Sequence, residues 1–167
     1  MKKIQFFLTL LLLMPLFNGI FAQDVKFQAL MIYNFTKLID WPNKSGNFVI
    51  KVVGNPELAK ELKEFTVDRK AGGKQDFDIQ KAEMVNIDNC NILFIGIAES
   101  GNLEQILNKL GTNPTLIVTE KSDLVVKGAG VSFVKTEGSW KFQYSEENIK
   151  KKGLKISLDF KELGIAK

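Results

Sequence analysis

The chain has no histidine and only one cysteine in 167 residues. Without imidazole there is no nucleophile–imidazole pair and no Cys/His metal site. A lone thiol, Cys90, cannot form an internal disulfide even in an oxidising compartment. It heads the run Cys90-Asn91-Ile92-Leu93-Phe94-Ile95, where a thiol serves as a small buried hydrophobe. The run Lys150-Lys151-Lys152 has no aromatic beside it. A nucleic-acid surface needs clustered positive charge interleaved with stacking side chains, so nucleic acid is not an expected partner. Nucleotide motifs are missing too. Gly128-Ala129-Gly130 precedes a strand and lacks a third glycine, and Gly72-Gly73 is not followed by Lys-Ser or Lys-Thr. There is no internal repeat and no linker long enough to split the chain.

What is present is an ordinary globular composition, 45% hydrophobic and 25% charged, at a length that suits one domain. The first 22 residues differ from the rest. Lys2 and Lys3 precede an almost purely apolar run, Ile4 to Phe17, and Gly19-Ile20-Phe21-Ala22 offers a small residue before Gln23. That run is short for a membrane span, and its flanks are those of a cleavable secretory signal peptide. The alternative is an uncleaved anchor. The expectation is therefore a signal peptide over 1–22, one domain over 23–167, and a protein outside the cytoplasm that does not span the membrane after processing. Lys2 and Lys3 carry two of the four net positive charges, so the remaining chain is only mildly basic.

The chain is organised around Phe27 to Pro42. Val25, Ala29, Ile32, Phe35 and Ile39 recur in steps of three and four, which predicts a helix with a broad apolar face. Pro42 closes it, since the residue before proline avoids the helical region. Phe48-Val49-Ile50-Lys51-Val52-Val53 predicts a strand. Gly54-Asn55 then turns the chain into a helix over Glu57 to Phe65, with Pro56 at its first position. Phe77 to Ala82 reads as a short edge strand, and Asn91 to Ile97 as a central strand covered on both faces. Ser100 is the expected cap of a helix carrying Leu103, Ile106, Leu107 and Leu110, which Gly111 stops. Thr115 to Thr119 is a further buried strand. Val131 to Val134 and Trp140 to Tyr144 alternate around a turn and predict an antiparallel hairpin. The tail reads as helix from Ser145, broken at Gly153, and packed on the sheet. The expected fold is a single-domain α/β sandwich with a mixed, centrally parallel sheet, helices on both faces and an antiparallel edge hairpin.

Trp41 either plugs the core or forms an exposed anchor for a partner. Tyr33, Asn34 and Lys37 share the wetter edge of the helix and complete the candidate partner surface. Glu99 and Glu120 each follow a buried strand at its carboxyl end, where ligand clefts open in α/β sheets. They could act as acid and base, cap helices, or line a ligand cleft. No catalytic residue, cofactor or metal site is assigned.

Tyr33-Asn34-Phe35 with Trp41-Pro42, Ile50 to Gly54, Cys90 to Ile95, Leu116 to Thr119, Gly128 to Val134, Lys141-Phe142 and Gly153 to Ser157 together resemble the YfiR-like family. The resemblance implies a periplasmic α/β domain without enzymatic activity. It implies a partner too: the periplasmic part of a membrane-bound diguanylate cyclase or sensor kinase, modulated by contact within cyclic-di-GMP signalling. A homodimer is a further implication. Cys90 occupies a family cysteine position but has no mate, so redox control through a disulfide does not carry over. Gln143-Tyr144 departs from the family pattern. The alternative function is a periplasmic small-molecule binding protein of the same α/β type.

Overall fold

A computed structural model describes residues 18–167, with side chains from residue 24 onward. The signal peptide expected over 1–22 thus lies outside the described residues, except for the helical backbone from Asn18. Helix α1, Asn18–Leu38, buries Gln28, Ala29, Ile32, Phe35 and Thr36. It ends four residues short of the expected Pro42. Ile39–Asp40 instead forms strand β1, antiparallel to β8, Lys155–Ile156. The Ser157 amide donates to the Leu38 carbonyl at 2.9 Å, so a segment more than a hundred residues away satisfies the helix end.

Strand β2, Phe48–Val53, leads into α2, Pro56–Thr66. Asn55 caps α2, its Oδ1 accepting from the Leu58 amide at 2.9 Å. β3 is Phe77–Lys81 and β4 is Ile92–Ile95. A 3-10 segment, Ile97–Asn102, precedes α3, Leu103–Leu110. Ser100 falls inside that segment and caps nothing; Asn102 holds the cap position instead. Gly111 ends α3 at φ 49°. β5 spans Leu116–Thr119, β6 Val131–Thr136 and β7 Ser139–Tyr144. Glu137 and Gly138, both at positive φ, form the two-residue connection of the β6–β7 hairpin, as a type I′ turn requires.

The tail is more broken than expected. α4, Glu146–Lys151, is followed by β8, then α5, Leu158–Leu163, and β9, Ile165–Ala166. Two serines explain the restarts: Ser145 Oγ accepts from the Asn148 amide and Ser157 Oγ from the Phe160 amide, so each opens a helix of its own.

Seven strands form the main sheet in the order β3-β2-β4-β5-β6-β7-β9. β3 through β6 run parallel, β7 is antiparallel to β6, and the short β9 lies parallel to β7 beyond the hairpin. Every residue of β4 and β5 is buried, as a strand covered on both faces requires. One face carries Phe48, Ile50, Phe94, Val118 and Phe133 against α1, α2 and Phe160 of α5. The other carries Val53, Leu93, Ile95 and Ile117 against α3. The result is a mixed, mostly parallel α/β sandwich in one domain. Among the described residues no helix is long and apolar enough to cross a membrane.

Candidate functional site

α1 has its first half beside the carboxyl ends of β2 and β4 and its last residues beside the loop that enters β3. A cleft opens at each end.

The amino-end pocket, about 390 Å³, lies where α1, β1, the 71–75 loop and β8 meet. Register brings Asp40 opposite Lys155. Lys44 Nζ is 2.7 Å from Asp40 Oδ1; that hydrogen bond and charge, with Lys155 adding to it, hold the Asp40 carboxyl below its usual range. Lys37 and Lys74 complete the charged lining. Trp41 lines the pocket yet is only 5% exposed. Its ring stands edge-on to Phe48, with centroids 4.9 Å apart and planes at 87°. Trp41 is therefore a core residue at the pocket wall and not an exposed anchor. Its Nε1 is buried with no hydrogen-bond partner among the described residues. An orphan donor of this kind costs about 1–3 kcal/mol, so it demands an explanation.

Tyr33 sits next to this pocket, half-buried, edge-on to Phe65 at 5.6 Å. Lys37 Nζ lies 4.2 Å from the Tyr33 ring centroid, and the Arg69 guanidinium lies 4.1 Å from that of Phe65. Arg69 also donates to the Phe65 carbonyl, which fixes it over the ring. The result is a cation–aromatic surface built from α1, α2 and the turn after α2. Asn34 is half-buried on the same helix. Of the four candidate partner residues, Lys37 and Trp41 thus meet in the pocket and Tyr33 adjoins Lys37.

At the opposite end, the chain leaves β2 for its outer neighbour β3 and returns to β4 on the other side. Such a switch point opens a crevice outside the carboxyl ends of the strands. Here it measures about 500 Å³ and is lined by Asp24, Gln28, Asn55, Glu57, Glu120 and Trp140 among others. Its floor is tight: a Cβ on Gly96 would stand 2.4 Å from the Gly54 carbonyl oxygen, so only glycine allows the two loops to touch. Glu120 Oε1 accepts from Asn55 Nδ2 and Oε2 from the Ile97 amide, each at 3.0 Å. Glu99 does not line the crevice; its Oε2 accepts from Asn102 Nδ2 at 2.7 Å. The two glutamates are not brought together, and each fastens a loop.

Sequence reasoning missed most of this lining. Asp24 accepts from Trp140 Nε1 and lies 3.7 Å from Lys135 Nζ. Gln28, 1% exposed, buries an Oε1 without a partner among the described residues. A polar residue on an otherwise apolar helical face was the only signal for it. Lys74 and Lys155 gave no signal, because nothing local links them to Lys37.

Cys90 is buried; its Sγ faces the Ile87 carbonyl at 3.3 Å and Thr115 Oγ1 donates to its own carbonyl. Burial pushes the thiol up to about 12.

These features define a three-layer α/β domain with a ligand-sized cleft at either end of its sheet. The chain belongs to the YfiR/HmsC-like family, whose match covers residues 25–164. No curated protein matches it significantly.

Proposed function

We propose that this protein is a periplasmic, non-enzymatic regulator that binds the periplasmic part of a membrane signalling protein, of diguanylate cyclase or sensor kinase type, and modulates it. Family membership over nearly the whole chain supports the regulatory role in cyclic-di-GMP signalling. The apolar run after Lys2 and Lys3 supports export. The observation that carries the contact surface is the exposed Lys37 stacked on Tyr33, with Phe65 and Arg69 beside it. Aromatic and arginine side chains fixed at a surface are what protein interfaces use as anchors. Asn34 completes this edge, and Trp41 supports it from the core. The homodimer implied by the resemblance finds no support in the single chain and is left out of this reading.

The experiment is capture of the periplasmic part of a membrane-bound diguanylate cyclase or sensor kinase from the same cell by wild-type protein and by Tyr33→Ala and Lys37→Ala. Retention of fold with loss of capture supports the surface. Undiminished capture by both variants removes it.

A second reading is a small-molecule binding protein, favoured by the crevice at the switch point, lined by Gln28, Asn55 and Glu120. Under it, Glu120 shapes the cleft, and Gln28→Leu weakens ligand-induced thermal stabilisation.

A further inference from the structure

We infer that the amino-end pocket binds a small molecule carrying at least two negative charges on carboxylate or phosphate groups. Four lysines, Lys37, Lys44, Lys74 and Lys155, line one cavity of about 390 Å³. The lining has one carboxylate, Asp40, and it is held by Lys44 at 2.7 Å. Lys74 and Lys155 have no ion-pair partner among the described residues, and Lys37 rests only on the Tyr33 ring. Like charges gathered around one cavity raise the local concentration of anions.

Excess positive charge specifies an acceptor-rich anion as the ligand, and Trp41 forms part of the cavity wall. Ile39 and Ile156 give the cavity apolar wall for a ligand body, and its volume lies within the roughly 300–1,000 Å³ usual for ligand pockets.

The site is pre-formed. Ala71 and Gln75 bridge across the glycine turn that presents Lys74. Gln75 Nε2 donates to the carbonyls of Ser45 and Gly46 at 3.1 and 3.2 Å, fixing that loop against the segment after Trp41. β1–β8 pairing fixes Lys155. The pocket borders the proposed docking edge through Lys37 but does not depend on that reading, and Lys74 and Lys155 lie outside the edge.

The test is calorimetric titration of the processed protein with sodium pyrophosphate and, separately, sodium citrate. Ionic strength is held at about 0.15 M so that general screening is constant. Saturable one-site binding of either anion is expected, and the preferred one tells phosphate from carboxylate. The double variant Lys74→Met/Lys155→Met should weaken binding at least roughly tenfold, the usual size of lost charge-assisted hydrogen bonds. Lys150→Met/Lys151→Met removes lysines already paired to Glu146 and Glu147 on α4 and should leave affinity unchanged. Absence of saturable binding of both anions up to about 10 mM, a range that reaches millimolar affinities, overturns the inference. So does equal weakening by the two lysine double variants. Loss of partner capture by Lys74→Met/Lys155→Met without any anion binding would also overturn it and assign these lysines to the partner surface.

Discussion

The two ends of the sheet carry clefts of similar size and opposite charge, and they differ in how that charge is used. At the carboxyl end, Glu120 accepts two hydrogen bonds and Asp24 is held by Trp140 and Lys135. Those carboxylates are occupied within the chain. At the amino end, Lys74 and Lys155 have no ion-pair partner among the described residues. Charge in a cleft therefore signals function only after the protein's own donors and acceptors have been accounted for. By that measure the lysines are the better candidates, although sequence reasoning singled out the glutamates. α1 joins the two ends, and the core beneath each holds one buried orphan, an acceptor on Gln28 of α1 and a donor on Trp41 just after β1.

The comparison is broken most severely through the core that the two ends share. Phe35→Ala on α1 or Trp41→Ala just after β1 deletes a buried aromatic, and each should cost ~3–5 kcal/mol, a large share of a domain's ~5–15 kcal/mol. Chemical denaturation should show an unfolded or barely folded protein; near-wild-type stability of Phe35→Ala would mean that α1 is not a core element.

The next largest effect sharpens the contrast. Glu120→Ala removes the hydrogen bonds to the exposed Ile97 amide and the part-buried Asn55 Nδ2, at a cost of about 1 kcal/mol. Lys74→Met and Lys155→Met, by the same denaturation measurement, should stay within ~0.5 kcal/mol. Equal costs at the two ends would erase the distinction between occupied and spare charge.

Cys90 gives a smaller effect at ordinary pH, at the amino end of β4. Its folded value is raised, to about 12, above that of the unfolded chain. Its contribution to stability is therefore complete below the ordinary thiol range and is lost as pH rises from there through about 12. Denaturation at rising alkaline pH should show wild type losing more stability than Cys90→Ala. The native thiol should also resist alkylation without denaturant, and rapid labelling would refute its burial.

Smallest of all, Tyr33→Ala and Lys37→Ala should shift stability by roughly 1 kcal/mol or less, which leaves their effect on partner capture readable.

The elements with strong local periodicity were legible in the sequence. The apolar stripe of α1, the β-branched runs of β2, β4 and β5, and the glycine stop after Leu110 each follow from neighbouring residues. The C-terminal end of α1 was not legible. Pro42 was a plausible stop, but pairing of Ile39–Asp40 with Lys155–Ile156 ends the helix earlier. The tail failed for the same reason, since two-residue strands carry no period. At the site, the position of Glu120 at a strand's carboxyl end was legible. Its donors, Asn55 and Ile97, come from two other strand-end loops and were not. The burial of Trp41 needed the neighbouring Phe48 ring to settle it.

The short β9 has a consequence for solubility. It pairs with Gln143 and Tyr144, beside Phe142 in the buried half of β7, and leaves open the half that bears Ser139 and Lys141. The opposite margin, β3, carries Asp78, Gln80 and Lys81. Exposed strand edges template aggregation unless they are short, charged or covered. Here one margin is charged and the other is roofed by the chain's last residues, with the Lys167 amide donating to the Tyr144 carbonyl. The two-residue β9 thus shortens the length of unpaired edge open to strand-to-strand association.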